Sequence, residues 1–320
     1  MKSINFAPIK TGQLEIIHHS ENFPKDKETI LTIGTFDGVH IGHQEIIQNL
    51  VHQAKKKGLC SVVFTFYPHP RMVLNQNSDL KLINTIEERA ARLEKTGLDY
   101  LIIHPFDKEF SRLSALEFVR DILVGQLQVS KLIIGYDHHF GKNREGNIEQ
   151  LKEYGHMFDF EVEEIPAQDI DEVSVSSTKI RRALEEGQIE KANQYLGHPY
   201  SLRGKVIKGN QIGKTLGFPT ANIDMGTRFK QLPKAGAYLV STIWEGKKYY
   251  GMLNIGFRPT INGKKQSIEV YLEGFDQDIY GELLSLDFHR FLREEVRFES
   301  LEKLQLQLQK DRNELIKFLR

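Results

Sequence analysis

The sequence predicts an α/β protein in two parts: a doubly wound domain on a parallel sheet, then a small antiparallel β-barrel that ends in a helix. Three observations predict it. Through residue 185, short apolar runs alternate with helical patterns, and parallel strands need such crossovers because a tight hairpin joins only antiparallel neighbours. Beyond residue 198, runs rich in β-branched and aromatic residues follow one another with turn signals between them. The last stretch, ESLEKLQLQLQKDRNELIKFLR, spaces its leucines at helical intervals. The domains are read as 1–185 and 199–320, joined by a helical connection over 186–198.

In the first part the strands are ILTIG, SVVFTFY, DYLIIH, KLIIG and FEVEEI, and the helices between them include Gln44 to Lys57, Thr85 to Thr96 and Leu116 to Leu123. In the first helix Ile46, Ile47, Leu50, Val51 and Ala54 share a face and leave Gln48, Asn49, Gln53 and Lys55 outside. The segment Leu184 to Leu196 marks the boundary. In the second part YSLRGKVIKG, GAYLVSTIW, KKYYGMLNIG and SIEVYLEGF read as strands, with a hairpin turn at Glu245-Gly246. Closure into a barrel removes their exposed edges. The final helix places Leu301, Leu304, Leu308, Leu315 and Leu319 on one face, expected to be core, behind Ser300 as N-cap.

Composition excludes several functions. Acidic and basic residues balance at 43 each in 320 residues, so no global field draws the chain to nucleic acid or to an anionic membrane. No segment approaches the ~20 apolar residues of a membrane helix. Cys60 is the only cysteine, which excludes an intrachain disulfide and fits a reducing compartment. It is expected as a small buried apolar residue. A soluble cytoplasmic protein is expected, with no nucleic-acid or membrane partner and no oligomer indicated.

Two stretches carry chemistry. GTFDGVHIGH, residues 34–43, lies between the first strand and the first helix. Ligands of open parallel sheets bind beyond the carboxyl ends of strands, where helix N-termini present unsatisfied amides. His40 and His43 at that positive end are placed to donate to a triphosphate and to charge growing on phosphorus. VSSTKIRR, residues 175–182, sets small hydroxyls before a helix that carries Lys179 and Arg181, a second anion-binding pattern. In the second part GNQIGKTLGFPTANI, residues 209–223, combines a glycine loop suited to phosphate with Thr220 and Asn222, hard oxygens suited to Mg²⁺. By composition alone that cluster also describes an ordinary turn.

GTFDGVHIGH resembles the HxGH signature of the nucleotidyltransferase superfamily, and SSTKIR resembles the second phosphate-binding motif near the end of that domain. TFYPHP (65–70) and GYDHHFGKNREG (135–146) are similar to segments of the FMN adenylyltransferase module of bacterial FAD synthetases, with His138 and His139 departing from the usual residues. The later string resembles the GRxxGFPTAN motif of riboflavin kinases, with Lys214 in place of arginine, which keeps the charge and loses the bidentate fork. NIGFRPT (254–260), IEVYLEGFDQDIYG (268–281) and FLREEVRF follow in that family's order, with Tyr271 and Gly274 where it has His and Asp.

The resemblance, to the bifunctional riboflavin kinase/FMN adenylyltransferase family, covers nearly the whole chain. It implies a Rossmann-like nucleotidyltransferase domain and a riboflavin kinase barrel. Riboflavin and ATP would give FMN, and FMN and ATP would then give FAD and pyrophosphate, both steps with Mg²⁺. In the first domain it implies His40 and His43 as catalytic, Gly34, Thr35, Phe36, Asp37, Ser176, Ser177, Thr178 and Arg181 as ATP-binding, and Phe66, Pro68, His69, Asp137 and Phe140 as flavin-binding. In the second it implies Glu269 as general base, Gly209, Gly213, Lys214, Gly217 and Pro219 as ATP-binding, Thr220 and Asn222 at the metal, and Arg258 and Arg293 at the flavin. Two alternatives stay open: a single active module, and a flavin-sensing regulator that binds RNA, against which the balanced charge argues.

Overall fold

Every pairing in the first sheet is parallel. Its strands are β1 (Glu15–His18), β2 (Thr29–Ile33), β3 (Cys60–Tyr67), β4 (Tyr100–Pro105), β5 (Val129–Gly135) and β6 (Glu161–Ile165), in the order β1-β4-β3-β2-β5-β6. The computed structural model describes residues 14–75, 79–135, 139–165, 169–170, 173–209, 212–260 and 263–320. The chain forms two compact units, Met1–Ser177 and Thr178–Arg320.

The crossovers of the first unit are α1 (Ile41–Lys57), α2 (Pro70–Leu74), α3 (Ile86–Glu94), α4 (Ala115–Glu117), which continues as a π-helical turn over Phe118–Val124, and α5 (Ile148–Phe158). Strand alternation sends Leu31, Ile33, Phe64, Ile102 and Leu132 to one side, against Phe118, Val119, Ile122 and Leu151. It sends Ile30, Val63, Leu101 and Ile133 to the other, against Ile47, Leu50, Ala54, Ala90 and Leu93. Both faces are therefore covered, as the apolar strands require. From β2 the chain builds one way through β3 and β4 and the other way through β5 and β6. Its order reverses there, so the crevice lies beyond the carboxyl ends of β2 and β5. A short antiparallel pair, β7 (Asp169–Ile170) and β8 (Val173–Ser174), follows.

The second unit begins at Thr178, inside α6 (Ser177–Glu185), and continues with α7 (Ile189–Leu196), β9 (Tyr200–Ile207), α8 (Ile212–Thr215), β10 (Ala221–Asp224), β11 (Gly236–Trp244), β12 (Lys247–Thr260), β13 (Gly263–Leu272), β14 (Leu283–Glu294) and α9 (Leu301–Phe318). The six strands close a barrel in the order β10-β13-β12-β11-β14-β9, every pair antiparallel. Trp244 pairs with Lys247 across a turn whose Glu245 and Gly246 both have left-handed φ, 48° and 77°, the type I′ geometry.

Two expectations change. The leucine stripe of α9 is buried only at Leu315, while Leu301 and Leu319 are 55% and 45% exposed. The helix seats its second half, Leu308 to Phe318, against Phe218, Leu239 and Met252, and Ser300 caps it by accepting from the Lys303 amide at 3.3 Å. Cys60 is free and only partly covered, and burial pushes its thiol pKa up.

The unit boundary falls at residue 177, ahead of the 185 read from periodicity. The Lys234 amide donates to Leu184 at 2.9 Å, and Asn193 bridges Phe288 and Tyr200, so α6 and α7 belong with the barrel. A fragment Thr178–Arg320 is expected to unfold in one cooperative transition. A fragment beginning at Asn193 loses the buried Ile180, Ala183, Leu184, Ile189 and Ala192 and should melt more than about 5 °C lower. Calorimetry of both fragments checks this; equal melting temperatures would show that α6 and α7 add nothing.

Candidate active sites

The turn from β2 into α1 is shaped by what its apolar residues bury. Phe36 and Val39 adopt left-handed φ of 47° and 43°, costly for side chains with a Cβ. Both rings and branches enter the core beneath α1, and that burial offsets the strain. His40 is the N-cap of α1, but its side chain makes no capping hydrogen bond. The rings of His40 and His43 stack at 3.6 Å, and Phe36 meets His43 edge-on at 5.0 Å. The two imidazoles thus form one block at the positive end of a 17-residue helix. Burial first, then His40 and Arg89 beside it, hold His43 well below its usual pKa of 6.5, so it is neutral at neutral pH.

Asp37 does not face that crevice. Its carboxylate is fully buried and accepts from the Ile83 and Asn84 amides at 3.1 and 3.0 Å, with the Arg89 guanidinium 3.9 Å away. These bonds brace the turn. Gly34 continues the sheet by donating to Phe64 at 3.0 Å, and Thr35 accepts from the Thr65 hydroxyl at 3.3 Å. Ser177 donates from its hydroxyl to the Asp37 carbonyl at 2.8 Å, tying the second motif to the same turn. Ser176 is half-buried beside it; Thr178 is exposed and Arg181 half-buried on α6, within the second unit.

Phe66 belongs to an aromatic wall with Phe106 at 5.4 Å and Phe110 at 5.7 Å, and Phe110 reaches His104 at 4.6 Å. Pro68 is exposed, after a cis Tyr67–Pro68 bond. His69 is buried and caps α2, its Nδ1 accepting from the Arg71 amide at 3.2 Å, which commits it to the fold. Phe140 is buried against Gly146 and Phe118; Asp137 lies outside the described residues. Nothing in the sequence marks His104, Phe106 or Phe110, which leave β4 beside the wall.

In the barrel, Glu269 on β13 lies opposite Asn222 on β10 and Asn254 on β12. Thr220 donates to Glu269 Oε2 at 3.4 Å. Gly209 makes this possible: a Cβ there would lie 2.0 Å from Asn222 Nδ2. Gly209→Ala is therefore expected to displace Asn222 at a cost of roughly 1–3 kcal/mol and to lower the activity of this unit at least tenfold; unchanged kinetics would remove Asn222 from the site. Gly213 is equally tight, 2.2 Å from the Phe218 carbonyl, while Gly217 takes a left-handed φ of 82°.

Two cavities are lined by neighbours of Glu269, though not by Glu269 itself. One of about 430 Å³ is lined by Lys214, Pro219, Thr220, Ala221 and the segment from Phe275 to Tyr280. The other, about 510 Å³, lies between Phe218, Tyr271 and the α9 residues Gln305, Gln309 and Arg312. Tyr271 donates to Glu273 at 3.1 Å, and Arg312 grips the same carboxylate at 2.8 and 2.5 Å, which lowers the Glu273 pKa. Arg293 lines neither of these two cavities: its fork clamps Asp311 at 2.7–3.1 Å and fastens α9 to β14. The Arg258 side chain lies outside the described residues. Among those described, no three His, Cys, Asp or Glu residues form a metal-binding group.

Residues 22–179 match the family model for FAD synthetase, and residues 196–319 that for riboflavin kinase. The bifunctional riboflavin kinase/FMN adenylyltransferase of Listeria monocytogenes is 40% identical over 89% of this chain and 91% of its own. That of Bacillus subtilis is 34% identical over 94% and 96%. A crystal structure described as a macrolide-efflux protein from Streptococcus pneumoniae is 31% identical, covers 94% of this chain and 97% of its own, and superposes with a TM-score of 0.86. Among the described residues no helix is long and apolar enough to cross a membrane.

Proposed function

We propose how each unit works from the premise that this chain belongs to the bifunctional riboflavin kinase/FMN adenylyltransferase family. It is a transferase that makes FAD from riboflavin in two ATP-dependent steps.

The observation that carries the kinase reading is the position of Glu269. It touches Thr220, which lines one cavity, and stands two residues along the same strand face from Tyr271, which lines the other. We assign the first cavity to ATP and the aromatic one to the flavin. Glu269 takes the proton from the ribityl hydroxyl as that oxygen bonds to the γ-phosphorus and the bond to the ADP oxygen breaks. Lys214 is exposed at the mouth of the first cavity and offers a point charge to phosphate.

The Thr220 hydroxyl and the Asn222 amide oxygen, brought together beside Glu269, suit Mg²⁺, which takes few protein oxygens and fills its shell with phosphate and water. Bound there, the ion would neutralise phosphate charge. Thr220 and Asn222 would hold it, and Glu269 would keep the proton chemistry.

In the first unit the amides at the start of α1, with His40 and His43, stabilise charge on the ATP α-phosphate as an FMN phosphate oxygen attacks it and pyrophosphate leaves. The flavin ring lies against Phe66, Phe106 and Phe110. Ser177 and Asp37 hold the turn. The single cysteine fits a reducing, ATP-rich compartment, which supports the cytoplasm.

Chromatographic analysis of products from riboflavin, Mg²⁺ and ATP tests the whole reading. FAD shows both units active, FMN alone shows only the barrel active, and neither product would favour a sensor.

A further inference from the structure

We propose that Arg89 is a positioning residue for adenylyl transfer: through Asp37 it fixes the turn that presents His40 and His43. The inference rests on the reading of the first unit as the FMN adenylyltransferase site.

Arg89 lies on α3 and is 2% exposed. A buried guanidinium is expensive, and a well-packed apolar side chain is often as stable or more stable in its place. Its surroundings are those of the catalytic turn. Its Nη2 lies 3.9 Å from Asp37 Oδ1, and its Nη1 donates to Thr65 at 3.3 Å, the same hydroxyl that donates to the Thr35 carbonyl. Asp37 also receives the Ile83 and Asn84 amides, and its carbonyl receives Ser177. One buried ion pair therefore connects α3, the end of β3, Ser177 and the turn itself, all within the first unit.

The charged and titratable groups that act on His43 are His40 from its own turn and Arg89 from α3, the latter paired with Asp37. Tyr67, at the end of β3, senses Arg89 and Glu87. Among these, His40 and Arg89 oppose protonation of His43. Arg89 is the one that stays charged at every working pH. A neutral imidazole donates to phosphate without competing for a proton, so the buried cation keeps the donor in one protonation state across the acid range.

The test uses the full chain with Arg89→Met, Arg89→Lys and the double variant Asp37→Asn/Arg89→Gln, which leaves no stranded carboxylate. Three quantities are read: kcat against pH for FAD formation from FMN, the His43 titration by NMR, and riboflavin phosphorylation as an internal control. Arg89→Met and the double variant are expected to lose about 10–100-fold in FAD formation with phosphorylation unchanged. In Arg89→Met the His43 midpoint and the acid limb of kcat should rise by about 0.5–1 pH unit, whereas the double variant, which removes an anion as well, is read by its rate of FAD formation. The sign follows from removing a cation, which makes imidazolium easier to form. Arg89→Lys keeps the charge and should keep the midpoint within about 0.2 unit of the parent, below the shift expected on removing a neighbouring charge.

If Arg89→Met does not fold, the double variant decides. A folded Arg89→Met protein whose His43 midpoint stays at the parent value, or a folded double variant that makes FAD at the parental rate, overturns the inference. A parent chain that makes no FAD would instead remove the reading of the first unit.

Discussion

Replacing His43 by alanine is expected to lower FAD formation from FMN by ~10²–10³, the usual cost of losing one preorganised donor to a developing charge. Riboflavin phosphorylation in the same chain should continue at the parental rate. His43 stacks on His40 at 3.6 Å in a unit with its own two-faced core, whereas Glu269 and both cavities belong to the barrel unit. The ring is neutral until well below pH 6.5. The parental acid limb for FAD formation should therefore lie below that value, with activity lost as the pH falls through the His43 pKa. Two product assays on one preparation check the claim. Equal loss of both activities in a folded His43→Ala protein would defeat the assignment of one reaction to each unit.

Much of the fold is legible because its strands are uninterrupted apolar runs bounded by turn residues. ILTIG, SVVFTFY, DYLIIH, KLIIG and FEVEEI all appear as β2 to β6. The strand β1 is hidden by its brevity: EIIH has two apolar residues, and only its position beside β4 makes it a strand. The segment of β14 does alternate, burying Leu284, Leu286 and Phe288, but its polar partners and the arginine-rich end obscure the period. The strand β10 lies inside PTANID, whose proline and asparagine read as a turn.

The site was legible where local spacing sets the geometry and illegible where distant packing does. His40 and His43 meet because three residues of helix bring them together. Asp37 also sits in a phosphate-type turn, yet its carboxylate points inward because Ile83 and Asn84, 46 and 47 residues away, present amides there. His69 lies in an His-Pro step that starts a helix, which turns its ring toward a backbone amide. Arg293 looks like a ligand until Asp311, 18 residues on, takes its fork. Arg312 is not marked in the sequence, and Glu273, 39 residues earlier, receives it at the cavity wall. For Asp37, Arg293 and Arg312 the partner that decides the role is remote in sequence and carries no signature of its own, whereas for His69 it is two residues away.

Glu269→Gln is expected to lower riboflavin phosphorylation by roughly 10²–10⁴, the contribution of a positioned acid or base. Glutamine keeps the size and reach of the side chain and can still accept from Thr220, now 3.4 Å from Oε2, so the pair with Asn222 across β10 and β13 survives. What it loses is the capacity to hold the ribityl proton as the oxygen attacks. The riboflavin affinity should change far less, because the cavity beside Phe218 and Tyr271 is walled by aromatic rings and α9 rather than by this carboxylate. Supplied with FMN directly, the variant should make FAD at the parental rate. Separate quantification of FMN and FAD, from riboflavin and then from FMN, distinguishes the outcomes. A variant that phosphorylates riboflavin normally would return Glu269 to the role of a polar residue on a strand face. One that fails to adenylate added FMN would show that the two sites depend on each other, since Glu269 lies in the barrel unit and His43 in the other.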